Sequence, residues 1–391
     1  FGALYFAEGA PIGYLWVAVA TRMRAADLPT ESIGRFLALI ALPWAFKFLW
    51  APAVDALRTD RFSFRGWAIA AQAVMAATLV PLTWLDLVAD FELVVACLLV
   101  HAAAAATQDV AIDALAIATV PDEERGRLNG AMQLGMILGR ALFGGGALVA
   151  GARLGDDAPV TLALVLVLVV AATLLAVAVP AGAAPPDAPP SLRAAHRVVV
   201  RLLSSRRTWW GLAFAALAGA GFEAVGAMTG AALIDAGATE EQAGAFEVPR
   251  LAAMAIGALL GGALADRRGS ARAASSLLVL LTAAILGLAG LDVAGAAPVA
   301  WLVALTAVYL AIGAFTAASY ALFMHLAERR FAATQFSAWM GGTNLCESWA
   351  ALTAGSLAGA LGYGRTFAVL ALAALPALLV VRRLRAFDRS A

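Results

Sequence analysis

Charge is what this chain lacks most. Only 14% of its 391 residues are Asp, Glu, Lys or Arg, while 63% are hydrophobic. A soluble domain carries about a quarter charged residues and is about half apolar. A fold covered by water is therefore excluded, and the mean hydropathy of +0.86 agrees. The net charge of +1 offers no bulk attraction to nucleic acid. Cysteine is scarce too: Cys97 and Cys346 each lie within apolar runs and read as small packing residues, not as a disulfide or a metal site. The three histidines, His101, His196 and His325, have no partner at metal-ligand spacing. His-Glu-x-x-His and Gly-x-Ser-x-Gly are both absent, so the sequence holds no recognisable set of parts for an intramembrane enzyme. No stretch reads as a signal peptide, and the chain begins at Phe1 without a Met, as expected of a first helix that has been trimmed.

What remains is a polytopic membrane protein. One long polar break, Pro180 to Thr208, divides it. The prolines at its start forbid a regular helix, and Arg193, Arg197, Arg201, Arg206 and Arg207 follow. The expected domains are a six-helix bundle over 1–180, a linker over 181–207 and a second six-helix bundle over 208–391. Since a bilayer core takes about 20 apolar residues per helix, spans are expected near 2–22, 32–54, 66–86, 93–119, 127–150, 159–179, 208–234, 241–265, 272–292, 297–326, 331–360 and 363–382. Nineteen of the 27 basic residues then fall on one side, five on the other, and Lys47, Arg140 and Arg250 within spans. The positive-inside rule places both termini and the linker in the cytosol. The linker is too short for a folded cytosolic domain.

The halves echo one another. Trp50-Ala-Pro-Ala-Val-Asp55, with Arg61 and Arg65, follows the second span; Gly261-Gly-Ala-Leu-Ala-Asp266-Arg267-Arg268-Gly269 follows the eighth. Glu123-Glu124-Arg125 and Glu328-Arg329-Arg330 follow the fourth and tenth, and Glu8 and Glu223 occupy the first and seventh. Two related six-helix halves mark a transporter built from repeats.

At these residues the chain resembles the major facilitator superfamily, whose loop motif is similar to Gly262 through Gly269. More narrowly it resembles the AmpG-like permeases, a branch that includes acetyl-CoA transporters. The stretches carrying this are Tyr5-Phe-Ala-Glu-Gly-Ala-Pro11, Lys47-Phe-Leu-Trp-Ala-Pro-Ala-Val-Asp55, Thr107-Gln-Asp-Val-Ala-Ile-Asp113 with Glu123-Glu-Arg-Gly126, and Phe331-Ala-Ala-Thr-Gln-Phe336. The resemblance implies an all-α fold of two pseudo-symmetric six-helix bundles, import of muropeptides, siderophores or acyl-CoA species, and proton coupling with no other cofactor. It also implies that helices 1, 4, 7 and 10 line the cavity.

Ionisable groups within a bilayer cost roughly 2.5–3.5 kcal/mol on insertion scales, so they face the interior or a wet cavity. Glu8, Asp109, Asp113 and Glu223 are the candidates for proton coupling. Asp109 and Asp113 share one helix face a turn apart, so one is protonated or an arginine such as Arg140 pairs with it; Asp113 alternatively pairs with Arg125 or Arg127. Glu8, Arg140, Glu223, Arg250, Tyr309, Tyr320, Asn344 and Glu347 are the candidate substrate-binding residues. A guanidinium clamps a carboxylate or phosphate through two parallel bonds, although Arg250 has Glu247 one turn away. Gly9 and Pro11 stand to break the first helix beside Glu8. Lys47, Asp55, Arg61, Arg65, Glu124, Arg125, Asp266, Arg267 and Arg268 are candidates for a cytosolic latch that holds one state and breaks in the other. The glycine runs Gly144-Gly-Gly146 and Gly341-Gly342 permit close helix contact.

The sequence thus supports a secondary transporter, a monomer in a bacterial-type inner membrane, partnered by lipid, protons and a small anionic or amphipathic solute and by no nucleic acid. The alternatives are a proton-driven exporter of drug-like or metabolite solutes and a non-transporting receptor or scaffold.

Overall fold

In a computed structural model, residues 2–57, 63–119, 125–155, 158–176, 203–327 and 332–388 are described, together with 197, 200 and 201. All regular structure among them is helical. Twelve helical segments correspond to the twelve expected spans: α1 Gly2–Ala25, α2 Thr30–Ala56, α3 Phe64–Leu79, α4 Phe91–Thr119, α5 Arg125–Phe143 with Gly145–Leu154, α6 Ala158–Ala176, α7 Arg206–Asp235, α8 Glu240–Ala245 with Glu247–Arg268, α9 Ser270–Val293, α10 Pro298–Leu326, α11 Ala332–Leu361, and α12 Tyr363–Ala373 with Ala377–Asp388. Ten of these are long and apolar enough to cross a membrane.

Local chemistry sets the ends. Pro81 closes α3 in a single 3-10 turn, because it cannot donate to the helix ladder. Gly269 ends α8 at φ +82°, a conformation that side-chain-bearing residues resist, and α9 starts at the next residue. Pro376 lies between the two parts of α12.

The chain forms two compact units. The first comprises Phe1–Leu28, Phe46–Val199 and Ala238–Ala245; the second comprises Pro29–Ala45, Val200–Gly237 and Phe246–Ala391. Their limits are not those of the linker: the start of α2 belongs to the second unit and the short first part of α8 to the first.

In the first unit, α1 and α5 meet backbone to backbone. A methyl group on Gly9 or Gly13 would overlap the Met136 or Arg140 carbonyl, and one on Gly139 would overlap that of Phe6. Small residues are what allow such an approach in lipid. Gly9 and Pro11 therefore do not break α1; the helix runs through them and widens into a π-helical segment over Tyr14–Val19. Val54, Phe64, Ala68, Ala111 and Leu115 form a core cluster nearby. Gly144 interrupts α5, and the Gly145 backbone lies against Gly244 of α8.

The second unit repeats the device on other helices. Gly257 and Gly261 of α8 abut the backbone of α10 at Leu310 and Ala314, and Gly313 abuts Met254. Gly34 of α2 sits against Gly355 of α11, and Ser348 donates to the Ala38 carbonyl at 2.8 Å. At the start of α7, Gln335 donates to Thr208 at 2.9 Å, and Trp339 donates to the Thr208 carbonyl at 3.0 Å.

Candidate functional site

The first unit gathers five polar side chains from three helices. Glu8 and Tyr5 lie one turn apart on α1, and Tyr5 packs beside Met132 of α5. Lys47 comes from α2, and Asp109 and Asp113 from α4. Lys47 Nζ forms an ion pair with Asp109. The Tyr5 hydroxyl donates to Asp113. Glu8 lies against Asp109 within hydrogen-bond reach. Glu8 is 2% exposed and its Oε2 has no hydrogen-bond partner among the described residues. Three carboxyl groups thus face a single ammonium.

Several sequence expectations meet here and some shift. Glu8, Asp109 and Asp113 come together. The cation on Asp109 is Lys47, not Arg140, whose backbone lies at the α1–α5 glycine seam. Lys47, expected in the cytosolic latch, is paired with Asp109 in the carboxyl cluster. Tyr5 was not singled out by sequence reasoning; its place in Tyr5-Phe-Ala-Glu8, one turn from the glutamate, was the available signal.

The second unit holds a smaller constellation. Arg250 pairs with Glu247 one turn away, and its guanidinium stands over the Tyr309 ring at 5.2 Å. The Tyr309 hydroxyl and Thr229 Oγ1 are 2.8 Å apart, and Phe246 packs at 6.3 Å between ring centroids. Arg250 Nε has no partner among the described residues. Glu223 and Glu347 are both half-buried and near Cys346. Asn344 is half-buried on α11. Tyr320 stacks on Phe323 and meets Phe336 edge-on, each at 6.5 Å.

Of the expected latch, Arg61 and Glu124 lie outside the described residues, as do the side chains of Asp55 and Arg125. Arg65 is half-buried at the start of α3. Asp266, Arg267 and Arg268 are exposed at the end of α8.

At the opposite end of the helices, contacts arise that the sequence did not suggest. Within the first unit, Arg153 at the end of α5 pairs with Glu241, and Arg22 lies 3.8 Å from Glu240. Beside them opens a cavity of about 380 Å³ lined by Tyr14, Arg22, Leu82, Asp86, Leu98, Val160 and Glu240 among others. Asp86 accepts backbone N–H bonds from Ala89 and Val88, which hold its carboxyl below the usual carboxylate range.

Comparison with known proteins sets these residues in context. The family model of the Major Facilitator Superfamily matches residues 2–306. The anhydromuropeptide permease of Escherichia coli strain K12 is 31% identical over 146 residues, which is 37% of this chain and 30% of that protein. The chain thus matches under a third of the length of that curated relative. Among solved structures, the inward-open xylose transporter XylE from E. coli has a TM-score of 0.75 at 12% identity, with 98% of this chain and 95% of that one covered. The nucleoside transporter NupG has a TM-score of 0.71 at 13% identity, with 99% and 97% covered. At such identities the likeness is one of fold.

Proposed function

The chain belongs to the Major Facilitator Superfamily, as an integral membrane transporter and not an enzyme, and we propose that it is a proton-coupled importer of an anionic or amphipathic organic solute, a muropeptide or a siderophore. The observation that carries this reading is the carboxyl cluster of the first unit. Glu8, Asp109 and Asp113 outnumber Lys47, the one cation paired with them among the described residues. Two uncompensated carboxylates within a span are costly, and binding a proton removes that cost. Glu8 is the proton carrier: Asp109 is matched by Lys47, Asp113 by Tyr5, and Glu8 keeps one oxygen without a partner.

Arg250 is the docking point for an anionic solute group. Its Nε is unengaged, and Tyr309 and Phe246 supply aromatic surface beside it. Arg140, Glu223, Tyr320, Asn344 and Glu347 complete the proposed substrate-binding set. The partial likeness to a muropeptide permease favours peptidoglycan fragments among anionic solutes.

Transport proceeds by alternating access. The Arg153–Glu241 and Arg22–Glu240 contacts join segments before the linker to a segment after it, at the end where few arginines lie. They are the latch that parts when that end opens. The arginine-rich loops face the cytosol of a bacterial-type inner membrane and both termini lie there. The protein acts as a monomer.

The test is uptake of labelled anhydro-muropeptide into proteoliposomes with and without an imposed pH gradient. Glu8→Gln is expected to abolish gradient-driven accumulation and to retain solute exchange at equal pH. Accumulation by Glu8→Gln equal to that of the unaltered protein refutes the coupling role. Failure of the unaltered protein to move the fragment while it moves a ferric siderophore reassigns the substrate.

A further inference from the structure

Four polar side chains of α3 and α4, Gln72, Thr78, His101 and Gln108, are buried or half-buried. Thr78 Oγ1 lies 3.2 Å from His101 Nδ1, which lies 3.3 Å from the Met75 carbonyl. These contacts fix the register of the two antiparallel helices. Two turns further along α4 is Gln108, and one turn further along α3 is Gln72. In this register, at a rise of about 1.5 Å per residue, the two residues lie at similar depth, about 4 Å apart along the axis.

Gln108 is 0% and Gln72 1% exposed, and neither the amide oxygen nor the amide nitrogen of either one has a partner among the described residues. Four such groups left dry would each cost about 1–3 kcal/mol. Ordered water, with two to four polar partners in a buried site, is the usual remedy. Their neighbours along α4 are equally informative. Gln108 precedes Asp109, beside which Glu8 Oε2 is also without a partner. At the other end, Leu98 sits one turn from His101 and lines the 380 Å³ cavity rimmed by Asp86, Arg22 and Glu240.

We propose that Gln72 and Gln108 hold a file of bound water that links this outer cavity, past Thr78 and His101, to the Glu8 carboxyl. The file is a proton route lying within the first unit alone. A proton entering from the outer cavity hops along the water hydrogen bonds and ends on Glu8; no bond other than O–H is made or broken. The glutamines are positioning residues, since an amide orients water without itself titrating. This inference rests on Glu8 being the proton carrier proposed above.

The experiment is infrared difference spectroscopy of the full-length protein in lipid during a switch from H2O to D2O. A protonated carboxyl within the bundle gives a carbonyl band, assigned to Glu8 by its loss in Glu8→Gln. In Gln72→Leu/Gln108→Leu, exchange of that band should slow by about tenfold or more, one hydrogen-bonded step being worth that factor in rate. The single variants Gln72→Leu and Gln108→Leu should each slow it less, and they serve if the double variant fails to fold. Exchange as fast as in the unaltered protein overturns the water file and leaves Glu8 as carrier. A spectrum in which Glu8→Gln removes no band overturns the carrier assignment, and the file with it.

Discussion

The charged groups of the two units differ in one respect that organises the rest. In the first unit, three carboxyls surround Lys47, the only lysine of the chain. In the second, Arg250 meets Glu247 one for one, with an aromatic face beneath the guanidinium. Among the described residues the first set holds more acids than cations, whereas the second is matched one for one. Unequal charge suits a group that loads and unloads a proton. Balanced charge suits a cation that exchanges one anionic partner for another. The difference teaches that buried ionisable residues in the two units need not be arranged alike, even where sequence depth alone makes them look alike.

The comparison breaks most sharply at Lys47. Lys47→Met leaves Asp109 buried beside Glu8 with no cation, and loss of one partner of a buried pair costs about 3–5 kcal/mol. The melting temperature in detergent should fall strongly and recover in Lys47→Met/Asp109→Asn, which removes both charges; no recovery in the pair would mean the two do not interact as a unit. A smaller effect is expected in the second unit. Glu247→Gln keeps a hydrogen-bond acceptor and the Tyr309 face, so about 1–2 kcal/mol should be lost. Added anions should restore more stability to this variant than to the unaltered protein, and equal responses would remove Arg250 as an anion site. The smallest change belongs to Arg153→Gln. Its side chain is 67% exposed and that of Glu241 43%, and such pairs contribute about 0.2–1 kcal/mol. Melting should hardly move, while cysteine accessibility at the ends of α5 and α8 should rise if the pair is a latch; unchanged accessibility would leave it an ordinary surface contact.

Much of the fold was legible because lipid punishes ambiguity. Apolar runs of bilayer length separated by arginine-rich loops leave little choice but twelve helices. The candidate acids were legible for a related reason: in a chain with so few charges, Glu8, Asp109 and Asp113 stand out. Their partners were less so. Lys47 lies 62 residues from Asp109, and nothing in the sequence says how α2 is rotated against α4. Arg250 and Glu247, one turn apart on a helix, were readable as a pair because helix geometry alone brings them together. Gly9 misled in an instructive way. It looked like a helix breaker beside Pro11, but its role is to admit the Met136 backbone.

By itself, then, the sequence determined the helix count and which side chains were too costly to leave in lipid. Only the tertiary structure decided which of those side chains touch, that the second and eighth helices each divide their residues between the compact units, and that two buried glutamines, one on α3 and one on α4, have no partner among the described residues. The reason is physical. Transfer free energy is a property of residues taken in turn along the chain, whereas pairing depends on helix rotation and register, which close packing at glycine faces sets in three dimensions.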